Sequence, residues 1–151
     1  MSFPIIEASN LEGQKVLLPQ DLEGTLNVVI IAFQRQQQLL VDTWIPFLEA
    51  LMHKTLGLAF YELPTIRSGI PFLRFIVNSG MRSGIPEKSA RERTITIYIK
   101  KKKFRQRLEI PNEDTIYIFL MKKDGHILWR SEGEFTKQKG IELEKAINEN
   151  L

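Results

Sequence analysis

Residues 27–51, NVVIIAFQRQQQLLVDTWIPFLEAL, decide how the rest of the chain is read. The run from Val28 to Phe33 is continuous, β-branched and aromatic, the pattern of a strand covered on both faces and therefore parallel and central. A polar bend, Gln34 to Gln38, follows it. From Gln37 to Lys54 the apolar positions 40, 44, 47, 48, 51 and 52 recur at helical spacing, which predicts a core-facing helix. That helix carries Pro46 in its middle, where proline typically costs ~3 kcal/mol through a lost hydrogen bond and a clash with the preceding turn. A kink in a helix that wraps a sheet is the expected accommodation.

Outward from this stretch, Leu58 to Leu63 reads as a second buried strand after Gly57, ended by Pro64. Two strands joined by a helix make a parallel crossover unit. Upstream, Lys15 to Leu18 is a short strand bracketed by the turn signals Gly13 and Asp21 to Gly24, part of an edge hairpin or a lead-in strand. Downstream, a helix is expected at about 71–82, with Pro71 in its first turn, Gly84 and Pro86 as stop signals, and Arg74, Asn78 and Arg82 as its polar stripe. The pentapeptide RSGIP at 67–71 and again at 82–86 is too short for a repeat architecture. TITIYI, 94–99, alternates as a strand. TIYIFLM and HILWRSEG flank an Asp124-Gly125 pair, the signature of an antiparallel hairpin. The chain closes on an amphipathic helix carrying Ile141, Leu143, Ala146 and Ile147.

Composition excludes more than it assigns. A chain of 151 residues with 43% hydrophobic and 26% charged side chains is sized for one domain, 1–151, that buries roughly 70% of its unfolded surface. It has no cysteine, which removes disulfides, thiolate nucleophiles and thiolate metal ligands together. Apolar runs fall far short of the roughly 20 residues of a membrane-spanning helix, and the first residues lack a secretory pattern. The expected location is therefore cytoplasmic, with peripheral attachment to a membrane as a variant. Phosphate-loop, dinucleotide and Gly-x-Ser-x-Gly patterns are absent. His53 and His126 have no partners at ligand spacing, and Asp42 and Glu49 make no assignable acid–base pair, so the expectation is no metal, no cofactor and no catalytic residue.

The order of elements resembles the thioredoxin-like fold, and particular residues carry the resemblance. In thioredoxins the strand before the active site ends in an aromatic residue. A Cys-x-x-Cys pair begins five residues later, and a helix-kinking proline lies thirteen residues after the aromatic. Here Phe33 and Pro46 are thirteen residues apart, which puts the two cysteine positions on Gln38 and Val41. Thioredoxins also place a cis-proline and a threonine at the start of the hairpin. Thr115 matches the threonine, but Asp114 stands at the proline position and Pro111 lies three residues too early. The likeness covers roughly 26–63 and 114–151, while 64–113 is longer than the thioredoxin equivalent. It implies an α/β, three-layer fold with a central mixed sheet and helices on both faces, stripped of thiols and cis-proline.

A nearer resemblance lies in RERTITIYIKKKKFRQRLEIPNEDTIYIFLMKKDGHILWRSEG, 91–133. A strand, a basic segment, an aromatic-rich strand, a turn and an Ile-x-Trp pattern leading to glycine are similar to the thioredoxin-related assembly factors for the membrane sector of mitochondrial ATP synthase. The matching residues are Ile127, Trp129 and Gly133. That likeness implies a chaperone-like protein binder rather than an enzyme, with a subunit of a membrane complex as partner. Its contact surface is expected on the former active-site face: Gln34, Arg35, Gln36, Gln37, Gln38 and Trp44, with Arg82.

The rival reading starts from six cations in eight residues, Lys100, Lys101, Lys102, Lys103, Arg105 and Arg107. Such a run is usually a solvated face, yet it could also bind RNA, an acidic protein or an anionic membrane surface, each with a salt-dependent affinity. A non-thiol enzyme on the same scaffold is the third possibility and would need a pocket of convergent polar groups with shifted titration.

Overall fold

The computed structural model describes residues 1–67 and 88–151, so the helix expected at 71–82, and Arg82 with it, lies outside the described residues. Seven strands form one sheet: β1 (Ile6–Asn10), β2 (Lys15–Leu18), β3 (Leu26–Ala32), β4 (Leu58–Arg67), β5 (Ile95–Ile99), β6 (Tyr117–Lys122) and β7 (Ile127–Glu132). Their spatial order is β2-β1-β5-β4-β3-β6-β7. The helices are α1 (Gln38–Asp42), α2 (Ile45–Lys54), α3 (Lys88–Arg93), α4 (Lys101–Arg107) and α5 (Lys137–Glu149).

β3 is parallel to β4 in register from Leu26 opposite Leu58 to Ala32 opposite Pro64, and β4 is parallel to β5. β6 runs antiparallel on the other side of β3 and pairs antiparallel with β7. The mixed α/β sheet expected from the sequence is the one observed. β1, for which the sequence reading set no bounds of its own, makes an edge hairpin with β2 and joins it to the outer side of β5. At the β6–β7 turn Gly125 takes φ +95, a conformation in which a Cβ would also press on Pro19.

Both faces of β3 are covered because its side chains alternate between two cores. Val28 and Ile30 pack with Val41, Trp44, Leu48, Leu51, Leu143 and Ile147 from α1, α2 and α5. Val29 and Ile31 face Phe104 and Leu108 of the α4 region, with Phe3, Leu18 and Leu22. Three layers result. Gly140 lets α5 approach this closely, since a Cβ there would sit 2.9 Å from the Phe135 ring. Ile141, expected inward, is exposed, because Gly140, Leu143 and Ile147 take the inner face.

The helix expected from Gln37 to Lys54 is instead broken. A 3₁₀ turn at Arg35–Gln37 leads into the five-residue α1, and α2 starts afresh after Trp44. Thr43 N–H donates to the Leu40 carbonyl at 3.2 Å and Trp44 N–H to Val41 at 2.9 Å, which closes α1. Pro46 therefore lies in the first turn of α2, where a missing N–H removes no intrahelical bond. The penalty attached to an interior proline does not arise. Among the described residues the cis peptide is Leu18–Pro19, and the segment before Thr115 is trans throughout.

Candidate functional site

The parallel strands β3, β4 and β5 end on the same edge of the sheet, the edge where α/β folds generally place ligands. The loop after β3 and the loop before β6 meet there through glutamine side chains. Gln37 is buried, and its Oε1 accepts the N–H groups of Phe33 at 2.8 Å and Gln34 at 3.2 Å. Its Nε2 donates to the Glu113 carbonyl at 2.8 Å, and Gln34 Nε2 donates to that same carbonyl, also at 2.8 Å. Gln36 in turn hydrogen-bonds Gln34. A side-chain clasp thus joins the two loops and occupies the backbone acceptor immediately before Asp114.

Beneath the clasp, Gln38 and Val41 lie in α1 as the spacing requires, Gln38 as its first residue and Val41 buried against the sheet. Gln38 Nε2 donates to Glu62 Oε1 at 3.1 Å and to Asp42 Oδ1 at 3.0 Å. Glu62, on β4, is only 7% exposed. Burial pushes its carboxyl above the usual carboxylate range and Asp42 adds to the effect, while the Gln38 hydrogen bond and Arg93 oppose it. Arg93 lies over the Phe60 ring, 4.5 Å from its centroid, and approaches Glu49 at 3.8 Å. Glu62 was missed in the sequence, although a lone acid inside LAFYELP is a signal in itself, since carboxylates rarely enter a buried strand unpaired.

The basic run folds as α4, anchored by buried Phe104, which meets Phe3 edge-on at 5.8 Å. The helix sorts its own charges. Lys101 Nζ reaches Glu113 Oε1 at 3.4 Å and the Phe33 carbonyl at 3.3 Å, and Arg105 Nε lies 3.1 Å from Glu113 Oε2. Lys100, Lys102, Lys103 and Arg107 are exposed and make no ion pair among the described residues. Arg67, at the end of β4, joins Lys100, Lys101, Lys102 and Glu113 around a cleft of about 570 Å³. Arg67 and Glu113 were not singled out in the sequence because only the fold brings them beside the run.

The proposed contact residues separate accordingly. Gln34, Arg35 and Gln36 are exposed on the 3₁₀ turn, and Gln38 is half-buried. Trp44 must be withdrawn as a surface residue: it is 0% exposed, its Nε1 donates to the Gly133 carbonyl at 3.0 Å, and Phe135 packs on it edge-on at 5.2 Å. Gln37 likewise serves the loop internally. Among the described residues no group of three or more histidine, aspartate or glutamate side chains could hold a metal ion, and no helix is long and apolar enough to cross a membrane.

The model of the ATP10 protein family matches residues 1–149. The chain belongs to that family. ATP10 proteins are ATP synthase assembly factors rather than enzymes, and with no cysteine this member carries no thiol redox chemistry. Among solved structures the ATP10-family chain is similar to a thiol:disulfide interchange protein from Bacteroides sp., with TM-score 0.60 and 16% identity over 97% of this chain and 88% of that one. A thiol-disulfide oxidoreductase from Bacteroides fragilis gives TM-score 0.59 and 12% identity over 97% and 99% of the two chains. An exposed lipoprotein thioredoxin from Streptococcus pneumoniae gives TM-score 0.59 and 11% identity over 96% and 99%. These likenesses establish the thioredoxin-like fold and nothing of chemistry. No curated protein sequence matches.

Proposed function

We propose that this protein is a non-catalytic, chaperone-like module that holds a protein partner during assembly of the membrane sector of ATP synthase. The observation that carries the reading is the ATP10 family match along 1–149 on a thioredoxin-like scaffold without cysteine, with Gln38 and Val41 at the positions that the thioredoxin resemblance gives to the cysteine pair. A scaffold of this kind, with its sulfur chemistry gone, retains what a binder needs: a rigid sheet edge, loops tied together, and exposed polar groups around them. The exposed glutamine turn and the unpaired cations of α4 are the surfaces available on that edge. The protein would work from the aqueous side, peripheral to the membrane complex it serves.

Affinity capture of the tagged protein from detergent-solubilised membranes, with quantitative comparison against a tag-only control, tests the reading. Enrichment of membrane-sector ATP synthase subunits is the expected result, together with a fall in assembled enzyme when the gene is deleted. Absence of enrichment with unchanged assembly after deletion overturns it.

A further inference from the structure

We infer that the cleft bounded by Arg67, Lys100 and Lys102 is the seat for an acidic segment of the protein partner; this rests on the assembly reading above and specifies the chemistry of its contact. The cleft is half-enclosed and measures about 570 Å³, enough for side chains of an extended peptide. Its charges are not equivalent. Lys101 and Arg105 are ion-paired with the protein's own Glu113 carboxylate. Arg67, Lys100 and Lys102 are exposed and make no ion pair among the described residues, so their charge is available to a ligand.

Two observations favour carboxylates on a polypeptide over phosphates on a nucleic acid or a lipid surface. Asp114 follows the cleft wall on the exposed loop, so a phosphodiester chain with closely spaced charges would be driven against its carboxylate, whereas spaced carboxylates can avoid it. The surface continuing from the cleft is also suited to peptide. Lys101 ties α4 to the Phe33 carbonyl, which places the cleft beside the exposed polar turn carrying Gln34, Arg35 and Gln36. The exposed face of α4 carries Lys102, Lys103, Gln106 and Arg107 with no apolar side chain to insert into a bilayer, since Phe104 and Leu108 are buried. The clasp matters here as well. With the Glu113 carbonyl taken by Gln34 and Gln37, a peptide cannot use it as an acceptor, and the charged cleft beside it offers the recognition instead.

Fluorescence anisotropy of a labelled peptide of spaced glutamates, titrated with the full chain at low salt, tests this. The triple variant Arg67→Gln, Lys100→Gln, Lys102→Gln should bind about tenfold more weakly, the combined effect of three exposed charge contacts. A control neutralising Lys15, Lys123 and Lys145, exposed cations elsewhere, should bind as the native protein does. All replaced side chains are exposed, and an unchanged melting temperature verifies the fold of each variant. Equal affinities of the two triple variants, or no binding by the native protein, overturn the inference. So does selective loss, in the cleft variant, of binding to oligothymidylate or to vesicles of equal parts phosphatidylglycerol and phosphatidylcholine when the peptide shows none. Capture from membranes separates the two claims. If the native protein enriches ATP synthase subunits and the cleft variant does so equally, the assembly reading stands and the cleft assignment falls. If the peptide result holds while no such subunits are enriched, the cleft stands and the assembly reading falls.

Discussion

Gln37 shows how one side chain can join two loops at the end of a sheet. Its amide offers one acceptor and two donors, and the structure uses both ends: the oxygen takes the Phe33 and Gln34 N–H groups, and the nitrogen holds the Glu113 carbonyl. Left unpaired, each buried backbone group would cost about 1–3 kcal/mol. Glu62 is the opposite case, a buried acid held at a cost. Its carboxyl titrates above the ordinary range in the folded protein chiefly because burial disfavours the charge. A raised folded-state value means that the carboxyl's contribution to stability is full below the unfolded value and is lost as pH rises through the folded one. Glu62→Gln keeps the oxygen that accepts from Gln38 and removes the charge. The variant should therefore melt higher than the native protein at pH 8, with the advantage shrinking on acidification and gone below the ordinary carboxylate value. Thermal melts across pH check this; an advantage that does not change with pH would mean that the Glu62 charge is not the cause.

At the level of elements, patterning was legible where one period dominates. The uninterrupted run of β3, the alternation of β5 and the Asp124-Gly125 turn each state their geometry locally, and each is observed. What stayed hidden depends on partners distant in sequence. The break between α1 and α2 does not disturb the apolar spacing, so periodicity alone runs across it. Trp44 was assigned to the contact surface by the thioredoxin resemblance although the helical spacing put position 44 on the core side, and Gly133 and Phe135, distant in sequence, enclose it. The cleft was half legible: the cations announce themselves as a run, but Arg67 and Glu113 come from elsewhere in the chain. Pro46 gives the direct test of the break. In the first turn of α2 its fixed φ suits the backbone, so Pro46→Ala should change stability by no more than about 1 kcal/mol, and in the destabilising direction. A proline in mid-helix would instead yield a gain of about 3 kcal/mol on replacement. Urea unfolding midpoints distinguish the two.

For the molecule as a whole, the question is whether the crevice at the ends of the parallel strands could admit thiol chemistry or is closed to it. Gln38 and Val41 stand one helical turn apart in α1, within the Cα separation of about 4.4–6.8 Å that a disulfide spans. Restoring the pair as Gln38→Cys, Val41→Cys should thus give a protein that forms an intramolecular disulfide on mild oxidation, seen as the loss of two titratable thiols and two hydrogens of mass. Reduction of insulin by that variant should nevertheless stay near background. The Gln34–Gln37 clasp occupies the Glu113 carbonyl, Asp114 stands where the thioredoxin resemblance expects proline, and the buried Glu62 beside position 38 would raise the cost of forming a thiolate. Failure of the thiols to pair would contradict the placement of the two positions in α1. Brisk insulin reduction would contradict the closure, because it would mean that a peptide disulfide can still enter the crevice with the clasp in place.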